Sequence, residues 1–132
     1  HAGIEVEESR VTWIDTLEMK DFSRIMEKLK YRLSGCTACV CYNDEVAHEL
    51  TRCLLKTGKK IPEDISIIGI DNSELAKLNP VPLTSIGHPM EELGSRAAEA
   101  ILRLIKEPGC DVTYEFPVSL KERRSVCRCA EQ

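Results

Sequence analysis

Along this chain, short continuous apolar runs alternate with longer stretches in which apolar residues recur every three or four positions. Residues 38–42, 65–70 and 83–87 are runs of the first kind. Short and bounded by turn residues, they predict strands, and the β-branched content of 65–70 marks that one as covered on both faces, as parallel strands are. Phe22, Ile25, Met26, Leu29 and Leu33 predict a helix closed by Gly35, and Val46, Ala47, Leu50, Cys53 and Leu54 a second closed by Gly58. Lys56, Lys59 and Lys60 lie near the negative end of that second helix, where cations are favourable. Met90, Leu93, Ala97, Ile101 and Leu104 form the apolar face of a third helix over 89–106, with Pro89 suited to its first turn and Pro108-Gly109 beyond its end. Its opposite side pairs Glu92 with Arg96 and Glu99 with Arg103, each pair worth about 0.2–0.5 kcal/mol. Residues 11–14 predict a further strand ahead of the first helix. Val112, Tyr114, Phe116 and Val118 alternate with polar residues and predict a half-buried strand, confined to an edge by Pro117. Residues 74–82, with Pro80 and Pro82, predict a loop. Strands alternating with helices make this an α/β protein with a parallel sheet and right-handed crossovers.

Each of the three central runs is followed by a polar residue: Asn43, Asp71 and His88. The carboxyl ends of parallel strands share one rim, and that rim is where open α/β sheets bind small molecules. If the runs are neighbouring strands, the three residues form one polar wall. Each also has a plainer explanation: Asn43 is a good helix N-cap, Asp71 with Asn72 and Ser73 makes a turn, and His88 leads into a helix. Trp13 could offer an apolar face to a ligand, or serve the core or an interface.

The 132 residues suit one domain, long enough to bury roughly two-thirds of its unfolded surface. With 42% apolar and 30% charged residues and a net charge of −4, the chain has the composition of a soluble globular protein and no footprint for direct contact with nucleic acid. No apolar run approaches the roughly 20 residues that cross a bilayer. The start, His1-Ala2-Gly3, shows neither an initiator methionine nor a signal-peptide core, so a piece of a longer cytoplasmic protein is expected. The cysteines number seven, an odd count, with Cys36, Cys39 and Cys41 crowded together; they read as small apolar residues of a reduced protein, Cys39 and Cys41 on one strand face. Cys36-Thr37-Ala38-Cys39 has the spacing of a redox or zinc knuckle, but only the distant Cys127 and Cys129 supply a second pair, so neither metal nor cofactor is expected. An enzyme is not expected either. There is no Gly-x-Ser-x-Gly elbow, phosphate loop or His-Glu-x-x-His, and His1, His48 and His88 lie far apart with no nucleophile beside them.

Several motifs in order carry a family resemblance. Tyr42-Asn43-Asp44 opens a helix, residues 61–72 read Ile-Pro-Glu-Asp-Ile-Ser-Ile-Ile-Gly-Ile-Asp-Asn, and residues 82–89 read Pro-Leu-Thr-Ser-Ile-Gly-His-Pro. Glu92-Leu93-Gly94, Pro117-Val118-Ser119-Leu120 and Arg123-Arg124-Ser125-Val126 follow. Together, from about residue 11 to residue 126, they resemble the effector domain of the lactose/galactose-repressor family, with a lean toward the arabinose-repressor branch. The resemblance implies a Rossmann-like three-layer lobe of a periplasmic-binding-protein-like (type I) fold. It also implies a sugar or related metabolite as effector, and a homodimeric parent that reaches operator DNA through an N-terminal module. It matches 11–87 and 112–126 to the carboxyl-terminal lobe and 89–106 to a helix crossing to the amino-terminal lobe. By the same resemblance Asp71 is the carboxylate that accepts hydrogen bonds from ligand hydroxyls, Asn43 a contact that can both donate and accept, and His88 a polar contact at the hinge.

Two other functions compete with the regulator. A solute-binding protein for sugar uptake shares the two-lobed fold, and a thiol-redox domain would use Cys36 and Cys39. The regulator also implies a structural expectation: with one lobe present, the apolar face of the helix over 89–106 should be exposed, inviting self-association.

Overall fold

The computed structural model describes residues 5–15 and 18–129, so His1-Ala2-Gly3 lies outside the described residues. Helix α1 spans Phe22–Arg32, strand β1 Ala38–Val40, α2 Asp44–Lys56, β2 Ser66–Ile70, α3 Glu74–Leu78, β3 Thr84–Gly87, α4 Met90–Lys106 and β4 Ser119–Lys121. Short 3-10 turns at Glu8–Arg10 and Glu18–Asp21 precede α1. The four strands form one sheet in the order β1-β2-β3-β4. The first two pairings are parallel, with Cys39 opposite Ile67 and Gly69 opposite Ser85; the third is antiparallel, with Ile86 opposite Leu120. This is the α/β architecture with a mostly parallel sheet that the alternation of runs predicts.

The two helices ahead of β2 follow their sequence periods closely. Gly35 and Gly58 both take positive φ just past α1 and α2, a conformation that ends a helix at no steric cost in glycine alone. Phe22, Ile25 and Leu29 of α1 pack with Val46, Ala47, Leu50 and Leu54 of α2 over Ile65, Ile67 and Leu83. Leu50 and Ile67 are almost wholly enclosed, and each such side chain contributes about 1.5–3 kcal/mol by leaving water. Along β1 the burial alternates: Cys39 and Cys41 turn toward the core while Val40 and Tyr42 are exposed. The two thiols share a face, as their spacing predicts.

Three predicted elements differ. Residues 11–14 do not join the sheet: the Arg32 guanidinium donates to the carbonyls of Glu8, Ser9 and Val11, giving this segment a side-chain partner in place of a strand. Arg10 returns the contact, its Nη1 2.9 Å from the carbonyl of Arg32 and 3.0 Å from that of Ser34, where α1 leaves carbonyls unpaired. Residues 112–118 likewise form no ladder. Pairing with β3 begins only at Ser119, two residues beyond Pro117, which has no N–H to give. Tyr114 instead lies beside α4, with the Arg96 guanidinium 5.9 Å from its ring centroid. The stretch read as a loop after Ser73 holds the short α3, anchored by the buried Ala76.

Helix α4 runs its predicted length with no buried residue. Met90 is 64% exposed, Ile101 59% and Ile105 72%, so its apolar face has no cover among the described residues.

Candidate functional site

Because β1, β2 and β3 are parallel neighbours, the residues that follow them emerge along the same edge of the sheet. Asn43 stands at the N-cap of α2 in an extended conformation, and its Oδ1 accepts the amide of Val46 at 2.9 Å. The capping explanation of Asn43 therefore holds, and it leaves the side-chain NH2 group uncommitted by the cap. Asp71 follows β2 directly; its amide donates to the carbonyl of Ile86 at 2.8 Å, extending the β2–β3 ladder by one bond. Its φ of +100° points it out of that ladder, and its side chain is exposed. His88 follows Gly87 at the end of β3 and is exposed, its carbonyl taking the amide of Met90 at 2.9 Å. Trp13 is 89% exposed in the unpaired segment ahead of α1, outside the three-strand rim.

Behind this rim sits a residue that sequence reasoning passed over as part of a helix start. Asp44 is 1% exposed. Its Oδ1 accepts the hydroxyl of Ser85 at 2.6 Å; its Oδ2 accepts both the amide and the hydroxyl of Ser73, at 2.7 and 2.9 Å. A buried carboxylate is tolerable when its lone pairs are filled in this way. Its position in the first turn of α2 adds the favourable end of the helix dipole. Room for it comes from Gly69: a Cβ built there would lie 2.2 Å from Asp44 Oδ1. That glycine is the signal in the sequence. A glycine inside an otherwise β-branched strand marks the close approach of another group.

The neighbouring loop is tied a second time. Asn72, at φ +51°, donates its amide to Ser85 Oγ at 3.0 Å, and its Oδ1 accepts Nη2 of Arg123 at 2.6 Å. Arg123 also donates through Nη1 to the carbonyl of Leu83 at 2.7 Å and through its own amide to Thr84 Oγ1 at 2.9 Å. Two residues on, the buried Ser125 bridges β2 and β3, accepting the amide of Thr84 at 2.8 Å and donating to the carbonyl of Ile67. Residues 123–125, singled out as a motif without a role, thus lock the start of the two central strands and reach the loop at their far end.

The cysteines are arranged for packing. Cys39 is hydrogen bonded to Cys41, and that bond holds the Cys39 thiol below the ordinary range while pushing Cys41 up, with burial and the charge of Asp44 raising Cys41 further. Cys36 sits apart from them at the end of α1, its Sγ 3.3 Å from the carbonyl of Arg32 and 3.2 Å from Arg10 Nη1. Cys36 and Cys39 therefore find different partners. Among the described residues no three His, Cys, Asp or Glu side chains are grouped to hold a metal ion, and no helix is long and apolar enough to cross a membrane.

Comparison with known proteins gives a consistent answer. A family described as a periplasmic binding protein-like domain matches residues 1–126. The HTH-type transcriptional repressor PurR of Vibrio vulnificus is 46% identical over 91 residues, which cover 68% of this chain and 27% of that protein. The arabinose metabolism transcriptional repressor of Geobacillus stearothermophilus is 43% identical over 75 residues, 57% of this chain and 21% of the relative. Among solved structures, the transcriptional regulator CelR in complex with cellobiose aligns over 95% of this chain and 38% of its own, with a TM-score of 0.83 and 26% identity. A LacI-family regulator from Enterococcus faecium with bound ribose aligns over 81% and 40%, with a TM-score of 0.66 and 35% identity. The chain spans less than half the length of each of these relatives.

Proposed function

This chain belongs to the periplasmic-binding-protein-like family, in the branch formed by the effector domains of LacI-type transcriptional regulators, and from that premise we propose that its carboxyl-edge rim is one wall of a sugar-binding cleft. The observation that carries the proposal is the placement of Asn43, Asp71 and His88 after three adjacent parallel strands, in a chain similar to regulators whose structures hold cellobiose and ribose. Asp71 is the anchor. An exposed carboxylate can accept two ligand hydroxyls at once, and such charge-assisted bonds are about twice as strong as neutral ones. Asn43 contributes its free NH2 group and His88 a ring nitrogen as donor or acceptor.

The regulator reading also accounts for the parts of the chain that the sheet does not use. Residues 11–87 and the returning 112–126 make one lobe, and α4 crosses to a second lobe that covers its apolar face. A sugar between the lobes favours the closed arrangement, and in a homodimer that closure alters the spacing of N-terminal DNA-binding modules. Operator affinity then changes by as much as the sugar prefers one arrangement over the other. The parent acts in the cytoplasm, and its chemistry is recognition without catalysis. Uptake by a solute-binding protein would need the same rim, but the named relatives are repressors and regulators. The thiol-redox reading has less support, since Cys36 is bonded to the Arg32 carbonyl and Arg10 at the end of α1 while Cys39 packs against the core.

The test is an NMR titration of the isotope-labelled chain with ribose, arabinose and cellobiose. Saturable shifts confined to the amides around Asn43, Asp71 and His88 are expected, and Asp71→Ala should weaken them by about 10- to 100-fold, the worth of a charged hydrogen bond. If Asp71→Ala responds like the wild type, Asp71 is not the anchor.

A further inference from the structure

The three rim residues share a hidden feature: each borders an element or loop that carries a group tied directly or through one hydroxyl to the same buried carboxylate. Asn43 adjoins Asp44 itself. Asp71 adjoins Asn72 and Ser73, of which Ser73 donates twice to Asp44 Oδ2 and Asn72 donates to Ser85 Oγ, the hydroxyl that in turn donates to Oδ1. His88 closes the strand that carries Ser85. One side chain therefore joins the N-terminus of α2, the loop after β2 and the body of β3, which are the three elements that present the rim.

The geometry points to Asp44 as the positioning residue of the rim, a deduction that rests on the effector-site reading above. The loop it holds adopts a conformation that side-chain-bearing residues rarely take, with φ of +100° at Asp71 and +51° at Asn72. Two consecutive left-handed residues persist only where the surroundings over-determine them. Three determinants hold it here: three donors converge on Asp44, Arg123 Nη2 holds Asn72 Oδ1 at 2.6 Å, and Gly87 admits Asn72 so closely that a Cβ there would lie 3.1 Å from the Asn72 Cβ. Asp44 touches no ligand; it sets the direction in which Asp71 leaves the sheet. Pre-setting that direction spares a ligand the cost of ordering the loop.

Amide hydrogen exchange and HN–Hα couplings of the labelled chain, followed by ribose titration, test this in Asp44→Asn and Ser73→Ala. Asp44→Asn turns one acceptor into a donor facing a donor. The Ser73 and Asn72 amides should then exchange at least about tenfold faster, the couplings at Asp71 and Asn72 should lose their left-handed values, and the ribose response should weaken about tenfold or more. The Ile67 amide, bonded to the Ser125 carbonyl at 2.8 Å, should keep its protection, which separates loosening of the loop from loss of the fold. Ser73→Ala removes one of the three donors and should give a smaller change of the same kind, also deciding the matter if Asp44→Asn does not fold. Unchanged exchange and couplings in the loop would overturn the proposal, as would a loosened loop with undiminished ribose affinity. If the wild type itself fails to bind any of the sugars, the effector reading fails, while the exchange data still show whether Asp44 holds the loop.

Discussion

Helices α2 and α4 have equally regular apolar stripes, and the fold treats them in opposite ways. Six residues of α2 are buried: Asp44, Val46, Ala47, Leu50, Thr51 and Leu54. None of α4 is. Periodicity specifies which side of a helix seeks cover, while cover itself depends on whether another layer lies within reach. In α2 that layer is β2 with α1 beside it. Beside α4, Tyr114 of the returning segment lies against Arg96 and Arg103 on the helix's charged side and against the Phe116 ring, 6.5 Å away. The difference teaches that a regular apolar stripe does not by itself bury a helix: a facing layer must be within reach.

The comparison can be broken by measuring what each helix contributes to stability. Leu50→Ala should have the largest effect, about 2–5 kcal/mol in a urea melt, because the residue is 2% exposed and its loss leaves a cavity. Gly69→Ala should follow at about 1–3 kcal/mol, the cost of forcing a Cβ into the space of Asp44 Oδ1. The same melt should report a loss of about 1 kcal/mol for Asn43→Ala, which deletes the cap on the Val46 amide. Ile101→Ala should change stability by less than about 0.5 kcal/mol, given that Ile101 is 59% exposed. A cost for Ile101→Ala comparable with that of Leu50→Ala would mean that the α4 face is covered in solution. Sedimentation would then show the chain self-associating, and Ile101→Glu should return it to a monomer.

Much of this was legible from the residues. The three central strands, the two capped helices and the long α4 follow from run length, period and glycine stops. The rim follows from strand ends alone, since parallel pairing leaves Asn43, Asp71 and His88 no other edge. What could not be read was whatever depended on partners distant in sequence. Residues 11–14 have the composition of a strand, but Arg32 takes up carbonyls at Glu8, Ser9 and Val11 from across the turn. Residues 112–118 alternate as a strand should, but the ladder begins only beyond Pro117.

Asp44 marks the boundary between the two kinds of information. Local sequence determined that it would open a helix after Asn43, because an acid in the first turn suits the dipole and the cap. Tertiary structure alone decided that it would be buried, since Ser73 and Ser85 lie 29 and 41 residues away in the chain and meet it only once β2 and β3 have paired. Local preferences act through neighbouring backbone groups and are written in the order of residues. The burial of a charge depends on donors converging from several elements, and that convergence exists only in the folded molecule.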